Sequence, residues 1–210
     1  MTIAKDLTEH GLLRRMAAGD EEAFALLYRR THPAIYRYAL HMSGNPAVAE
    51  DVTQEAFMTL IRDAKRFDPA RGTLGAFLFG VARNHLRKRW EQDRHSVPLP
   101  EHEDDLTSLV SAHSPYGNAN GNGNGAHARD EFASLETTSR VRHAIATLPE
   151  NYREVVVLCE LEELSYEQAA LALGCPVGTV RSRLHRARAL LLERLREAQP
   201  VLRRASAVGE

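Results

Sequence analysis

Only two cysteines, Cys159 and Cys175, occur in 210 residues, and their spacing matches no zinc site. A lone pair of this kind is expected to stay reduced, which argues against a disulfide-built extracellular module. No stretch approaches the ~20 consecutive apolar residues of a membrane span. The opening MTIAKDLTEHGLLRRM lacks the apolar core of a signal peptide, so a cytoplasmic protein without membrane insertion is expected. No carboxylate pair, metal-ligand set or nucleophile–base spacing stands out, so no catalytic residue, metal or cofactor is expected. Excess charge is missing too: 27 Lys and Arg against 28 Asp and Glu leave a formal charge of -1. Spread evenly, that balance would argue against a nucleic-acid partner.

The charge is not spread evenly. Basic residues gather from Arg62 to Arg94 and again from Arg181 to Arg204, while Glu101, Glu103, Asp104, Asp105, Asp130, Glu131 and Glu136 lie between them. This is a domain–linker–domain pattern. The linker, read as residues 96–134, opens with Val97-Pro98-Leu99-Pro100 and ends in the run NANGNGNGA, which has too little apolar surface to fold alone. With 43% hydrophobic residues, the chain can bury a core on each side of it. The expected architecture is all-α: a helical domain over residues 1–95, a second over 135–198 with a helix-turn-helix, and a tail over 199–210.

The strongest local signal is SYEQAALALGCPVGTVRSRLHRARALLLERL, from Ser165 to Leu195. Tyr166 to Leu173 and the run from Val177 onward read as helices around a corner made by Gly174-Cys175-Pro176. Glycine accepts the left-handed backbone of a helix end, and proline presets the next helix start. At about 100° per residue, Val180, Leu184, Ala187 and Leu191 share one inward stripe. Ser182 and Arg186 then point outward, flanked by Thr179, His185 and Arg181, with Arg183 and Arg188 towards the sides. No acidic residue occurs between Val177 and Leu192. A helix of this kind fits the major groove of DNA, where an outward arginine reads guanine bidentately for about 1–3 kcal/mol of discrimination and flank arginines meet phosphates. Base reading is therefore assigned to Arg186, with Ser182, His185 and Arg181 nearby.

The N-terminal half reads as four helices. One spans roughly Asp6 to Ala18; Asp20 caps a second, which Pro33 is expected to bend or divide. Asn45 and Pro46 launch a third, with Val48, Ala49, Val52, Ala56 and Leu60 inward and Asp51, Gln54, Glu55, Met58 and Arg62 outward. After the loop FDPARGT, Thr73 is the candidate cap of a fourth helix running to Trp90. Leu74, Phe77, Leu78 and Val81 cover one side of that helix and Phe79, Leu86 and Trp90 another, leaving a strip of Ala76, Gly80, Arg83, Asn84, Arg87 and Lys88. Small residues followed by basic ones suit a closely approaching nucleic-acid backbone, and single-stranded bases stack on aromatics placed beside basic side chains.

DVTQEAFMTLIR, FDPARGTLGAFLFGVARN and LPENYREVVVLCELEELSYEQAALALGCPVGTVRSRLHRARALL together resemble regions two and four of bacterial RNA polymerase sigma factors of the extracytoplasmic-function type. The resemblance implies a promoter-specificity factor that binds core RNA polymerase through its beta and beta-prime subunits, recognises promoter DNA and helps melt the minus-ten region. It implies that the Asp51, Gln54, Glu55 face, which also carries Met58 and Arg62, docks on the polymerase clamp helices. Arg71, Gly72 and Thr73 fall in the loop that receives a flipped minus-ten base, with Asn84 and Lys88, and the neighbouring Arg83 and Arg87, beside the opening strand. Minus-thirty-five contacts fall on Arg181, Ser182, His185 and Arg186. Such factors are commonly held by an anti-sigma factor, a further expected partner. The acidic linker residues Glu101, Glu103, Asp104 and Asp105 are candidates to lie in the polymerase's RNA path. The chain departs from many relatives at Phe77, where they carry tryptophan, and at Glu163, where they often carry glycine.

A second reading is a stand-alone helix-turn-helix regulator with an N-terminal sensing or dimerising module, which would footprint without polymerase. A protein-binding adaptor would leave Arg181 and Arg186 without purpose.

Overall fold

A computed structural model describes residues 8–63, 67, 72–96 and 127–197, and all regular structure among them is helical. The helices are α1 (Glu9–Ala17), α2 (Glu21–Ser43), α3 (Pro46–Arg62), α4 (Leu74–Ser96), α5 (His127–Ala146), α6 (Glu150–Val156), α7 (Tyr166–Leu173) and α8 (Val177–Glu197), with a π-helical turn, Val157–Leu161, continuing α6. Arg71 and the acidic residues Glu101 to Asp105 lie outside the described residues. Among the described residues no helix is long and apolar enough to cross a membrane.

Local chemistry sets most boundaries. Asp20 accepts from the Ala23 amide at 3.1 Å, Asn45 from the Ala47 amide at 2.9 Å, and Thr73 from the Ala76 amide at 3.2 Å. Each satisfies an amide that the first helical turn leaves unpaired. Gly44 ends α2 in the left-handed region at φ 67. Helix α5 begins at His127, upstream of the expected domain boundary at 135, because the helix-favouring run AHARDEFASLE follows directly on the last glycine of the Asn-Gly segment. Helix α4 likewise runs past Trp90 to Ser96.

Pro33 neither ends nor divides α2, which is continuous through it. A mid-helix proline costs about 3 kcal/mol. Leu27, Ile35, Tyr38, Ala39 and Met42, on either side of it, are all buried on one face, and each large side chain contributes about 1.5–3 kcal/mol. Packing outweighs the local preference.

Helices α1 to α4 pack around Leu12, Leu27, Ile35, Leu60, Leu74, Leu78 and Leu86, with Phe79 meeting the Tyr38 ring edge-on at 5.4 Å. Helices α6, α7 and α8 close over Val155, Val157, Leu158, Val180, Leu184 and Ala187. The two sets of buried residues are continuous because α7 lies against α4.

After the π turn, Glu163 holds a left-handed φ of 54, the one such non-glycine residue among those described. An L-residue with a side chain is strained there by roughly 1–2 kcal/mol, part of which glycine returns through its freer unfolded chain. Glu163→Gly is therefore expected to raise stability by about 0.5–1 kcal/mol and Glu163→Val to lower it, read from urea midpoints at constant slope.

Candidate nucleic-acid interface

Helices α7 and α8 form the corner expected of them. Ser165 and Gln168 make a reciprocal capping box, Gly174 takes φ 62 and ψ 37, and the Thr179 amide donates to the Pro176 carbonyl at 2.9 Å. Val180, Leu184 and Ala187 are buried while Arg181, Ser182, His185, Arg186 and Arg188 are exposed; Thr179, Arg183 and Leu191 are half-buried. The outward face is thus a continuous polar and basic surface.

Two of its arginines are held from below. The Arg181 guanidinium lies over the Tyr166 ring, 5.6 Å from its centre, a cation–π contact that limits the side chain's range. Arg188 donates through Nε to Glu160 at 3.0 Å. The Glu160 bond and charge raise the Arg188 pKa. Glu160 sits on the π turn, and periodicity alone does not reveal that an extra residue per turn swings it under α8.

On α3, Asp51, Gln54, Glu55, Met58 and Arg62 are all exposed along one face. Ile61, not singled out from the sequence, belongs there too: it is 50% exposed beside Met58 at 51%, and its place three residues after Met58 was the available signal. Asp51 accepts from Arg89 of α4 at 3.0 Å, an exposed pair that links the two helices.

The α4 strip is divided. Asn84, Arg87 and Lys88 are exposed, as expected, but Ala76 is buried and Gly80 faces the α7 backbone, where an added Cβ would lie 3.3 Å from the Ala172 carbonyl oxygen. Arg83, expected as an open strip cation, instead donates through Nε to Glu154 at 2.6 Å and through Nη1 to the Leu173 carbonyl at 3.2 Å. The reason is the partner surface: a helix wheel shows which face of α4 is polar, not that α7 covers it. Thr73 and Gly72 sit at the same edge, with the Gln168 amide 3.4 Å from the Thr73 hydroxyl and Leu171 against Gly72. Between α3, α4 and α7 lies a cleft of about 670 Å³ that Gly72, Thr73, Asn84 and Phe77 line on one side and Leu171 and Leu173 on the other. Phe77 is half-buried with its ring edge-on to Phe67 at 5.7 Å, whereas Phe79 is a core residue.

Two carboxylates in this region are almost inaccessible. Glu154 and Glu162 side chains are each 2% exposed. Burial pushes both above the usual carboxylate range, opposed by hydrogen bonds from Arg83 and Arg37 respectively. Arg37 donates to Glu162 through two nitrogens, at 3.0 and 2.6 Å, a bidentate pair.

The chain matches the family models of Sigma-70 region 2 over residues 27–95 and Sigma-70 region 4 over residues 138–191. It is 31% identical over 185 residues to the ECF RNA polymerase sigma factor SigW of Bacillus subtilis, covering 88% of this chain and 95% of that protein. The chain belongs to the extracytoplasmic-function sigma factors. SigE of Mycolicibacterium smegmatis is 32% identical over 185 residues, 85% of this chain, which spans 65% of that longer protein. Among solved structures, the sigma factor RpoE in complex with the anti-sigma factor NepR from Bartonella quintana is similar, with 25% identity, a TM-score of 0.59 and coverage of 82% of this chain and 96% of that one. This sigma factor directs RNA polymerase to promoters, and the stand-alone regulator is not favoured. The region 2 match takes in α3 and α4, and the region 4 match takes in α7 and most of α8.

Neither cysteine of the sigma factor is bridged; both are half-buried. Burial, reinforced by the adjacent Glu160 charge, pushes the Cys159 thiol up to about 11. At pH 8 it is overwhelmingly protonated, so a Cys175→Ser protein is expected to react with iodoacetamide far more slowly when native than when urea-unfolded; equal rates would contradict this.

Proposed function

We propose that this sigma factor reads promoters with two separate surfaces and performs no chemistry itself. The α8 face reads the minus-thirty-five element, with Arg186 bidentate to a base, Ser182, His185 and Arg181 adjoining it, and Thr179, Arg183 and Arg188 positioned towards phosphates. The α3 face, Asp51, Gln54, Glu55, Met58 and Arg62, docks on core polymerase. The minus-ten strand is received by Arg71, Gly72 and Thr73 and guided by Arg83, Asn84, Arg87 and Lys88. Residues 1–95 and 135–198 act as the two recognition domains and the chain between them, into which α5 extends from His127, as the tether, which raises the effective concentration of the second domain once the first is docked. Melting follows from capture of unstacked bases, whose Watson–Crick edges only then become available to a loop pocket. The factor works in the cytoplasm, and an anti-sigma factor is the partner that restrains it.

The observation that carries this reading is the exposure of Arg181, Ser182, His185 and Arg186 together on α8, on a helix whose opposite stripe is buried. Arg186→Ala is expected to reduce discrimination at one minus-thirty-five base pair by about 1–3 kcal/mol, measured as relative affinities for single-base promoter variants in the holoenzyme. Unchanged discrimination would remove Arg186 from base reading. Asp51→Ala combined with Glu55→Ala is expected to weaken binding to core polymerase while leaving duplex DNA affinity of the free factor unchanged; equal core affinity would remove α3 from the docking surface.

A further inference from the structure

Among the described residues, Val157–Leu161 is the one π-helical turn, and it brings Glu160 to a side chain 28 residues further along the chain. Turns of this kind are rare and recur at functional sites, where the extra residue redirects a side chain. Here the redirected group is a carboxylate, and it meets an arginine of the outward α8 face. Arg188 donates to a single Glu160 oxygen through both Nε and Nη2. The two side chains are 56% and 41% exposed, so the pair stands where a DNA phosphate can reach it.

The α8 face therefore carries two kinds of arginine. Arg186 has no acidic partner among the described residues and offers an uncompensated charge. Arg188 offers almost no net charge, because Glu160 cancels it within one contact, yet its guanidinium keeps N–H donors beyond the two that the carboxylate takes. The difference is felt most where DNA is held loosely. Sequence-independent binding rests on phosphate neutralisation, to which a compensated arginine adds little. In a seated complex a phosphate is fixed in place, and the donors that remain meet it in an orientation the carboxylate has already imposed. A carboxylate so placed penalises the loose complex and spares the seated one, which is how a repulsive element raises specificity. Exposed ion pairs contribute little to stability, so holding the fold together gives small reason for this one.

We infer that Glu160 is a positioning residue that sets the specificity of the α8 face: it neutralises Arg188 towards sequence-independent DNA and aims the remaining donors at one phosphate of the seated complex. The inference rests on the α8 reading proposed above. It places a determinant of promoter selectivity on the π turn, outside both helices of the helix-turn-helix.

The test measures affinity of the full chain for a mixed-sequence duplex across a salt series, and affinity of the holoenzyme for a promoter that it transcribes. Glu160→Gln is expected to bind the mixed-sequence duplex about threefold more tightly, with the slope of log affinity against log salt steeper by about 0.9, the signature of one more neutralised phosphate. Promoter affinity is expected to rise by less, so the ratio of promoter to mixed-sequence binding falls. In an Arg188→Met background the same glutamine is expected to add almost nothing, because the charge it would release is gone. Glu160→Asp, which keeps the carboxylate, is expected to keep the parent slope. Urea midpoints close to the parent's are expected for every variant, since the pair is weak and exposed. Unchanged mixed-sequence affinity and slope in Glu160→Gln would overturn the inference. Equal gains with and without Arg188 would overturn it as well, since Glu160 would then act only as a general charge, and so would equal gains on promoter and mixed-sequence DNA. Failure of the α8 reading itself shows separately, as promoter discrimination that survives Arg186→Ala, and leaves the mixed-sequence result to stand on its own.

Discussion

One buried ion pair fixes how the two halves of this molecule meet. Glu154 is 2% exposed, on a helix of the C-terminal domain, and its charge is compensated chiefly by Arg83 from the N-terminal domain. A buried carboxylate stripped of its partner costs about 3–5 kcal/mol, whereas a well-formed pair contributes little net stability over apolar residues. The pair therefore acts on register more than on strength. It lies at the docking of α7 on α4, which Arg37–Glu162, Arg153–Met42 and a continuous apolar core also span. The rest of the site inherits this geometry: which strip residues are covered, which are open, and where the cleft beside Phe77 lies.

Within each half, local rules account for most helix ends and outward faces. Asp20, Asn45, Thr73 and Ser165 cap the helices they precede, Gly174 takes the left-handed turn, and the outward residues of α3 and α8 are exposed as their periodicity implies. What stayed hidden depends on partners distant in sequence. Pro33 looked like a break because propensity is local, while the burial of Ile35 and Tyr38 is not. Arg83 looked like an open cation because its counter-charge lies 71 residues away. Glu160 reaches Arg188 only because the π turn shifts the phase of the helix, which a uniform wheel does not represent. Glu163 is the exception in the other direction: the family resemblance leads one to expect glycine there, and its left-handed backbone gives a physical reason for that expectation.

The electrostatic design runs through both domains. A chain of net charge -1 presents a basic face on α8 because its acidic residues are placed elsewhere: beneath the arginines, at the contact between the two halves, or along the sequence that joins them. Tyr166 and Glu160 hold Arg181 and Arg188 near the positions in which DNA is proposed to meet them, reducing the side-chain entropy lost on binding.

Two surfaces acting together are proposed to give core polymerase its promoter preference. Run-off transcription by purified core polymerase on a randomised promoter library, with and without the chain, tests it most directly. The predicted result is chain-dependent transcripts from templates sharing two asymmetric elements at a fixed separation, with neither element sufficient alone. Enrichment of a single palindromic site, or equal transcription without the chain, would contradict it.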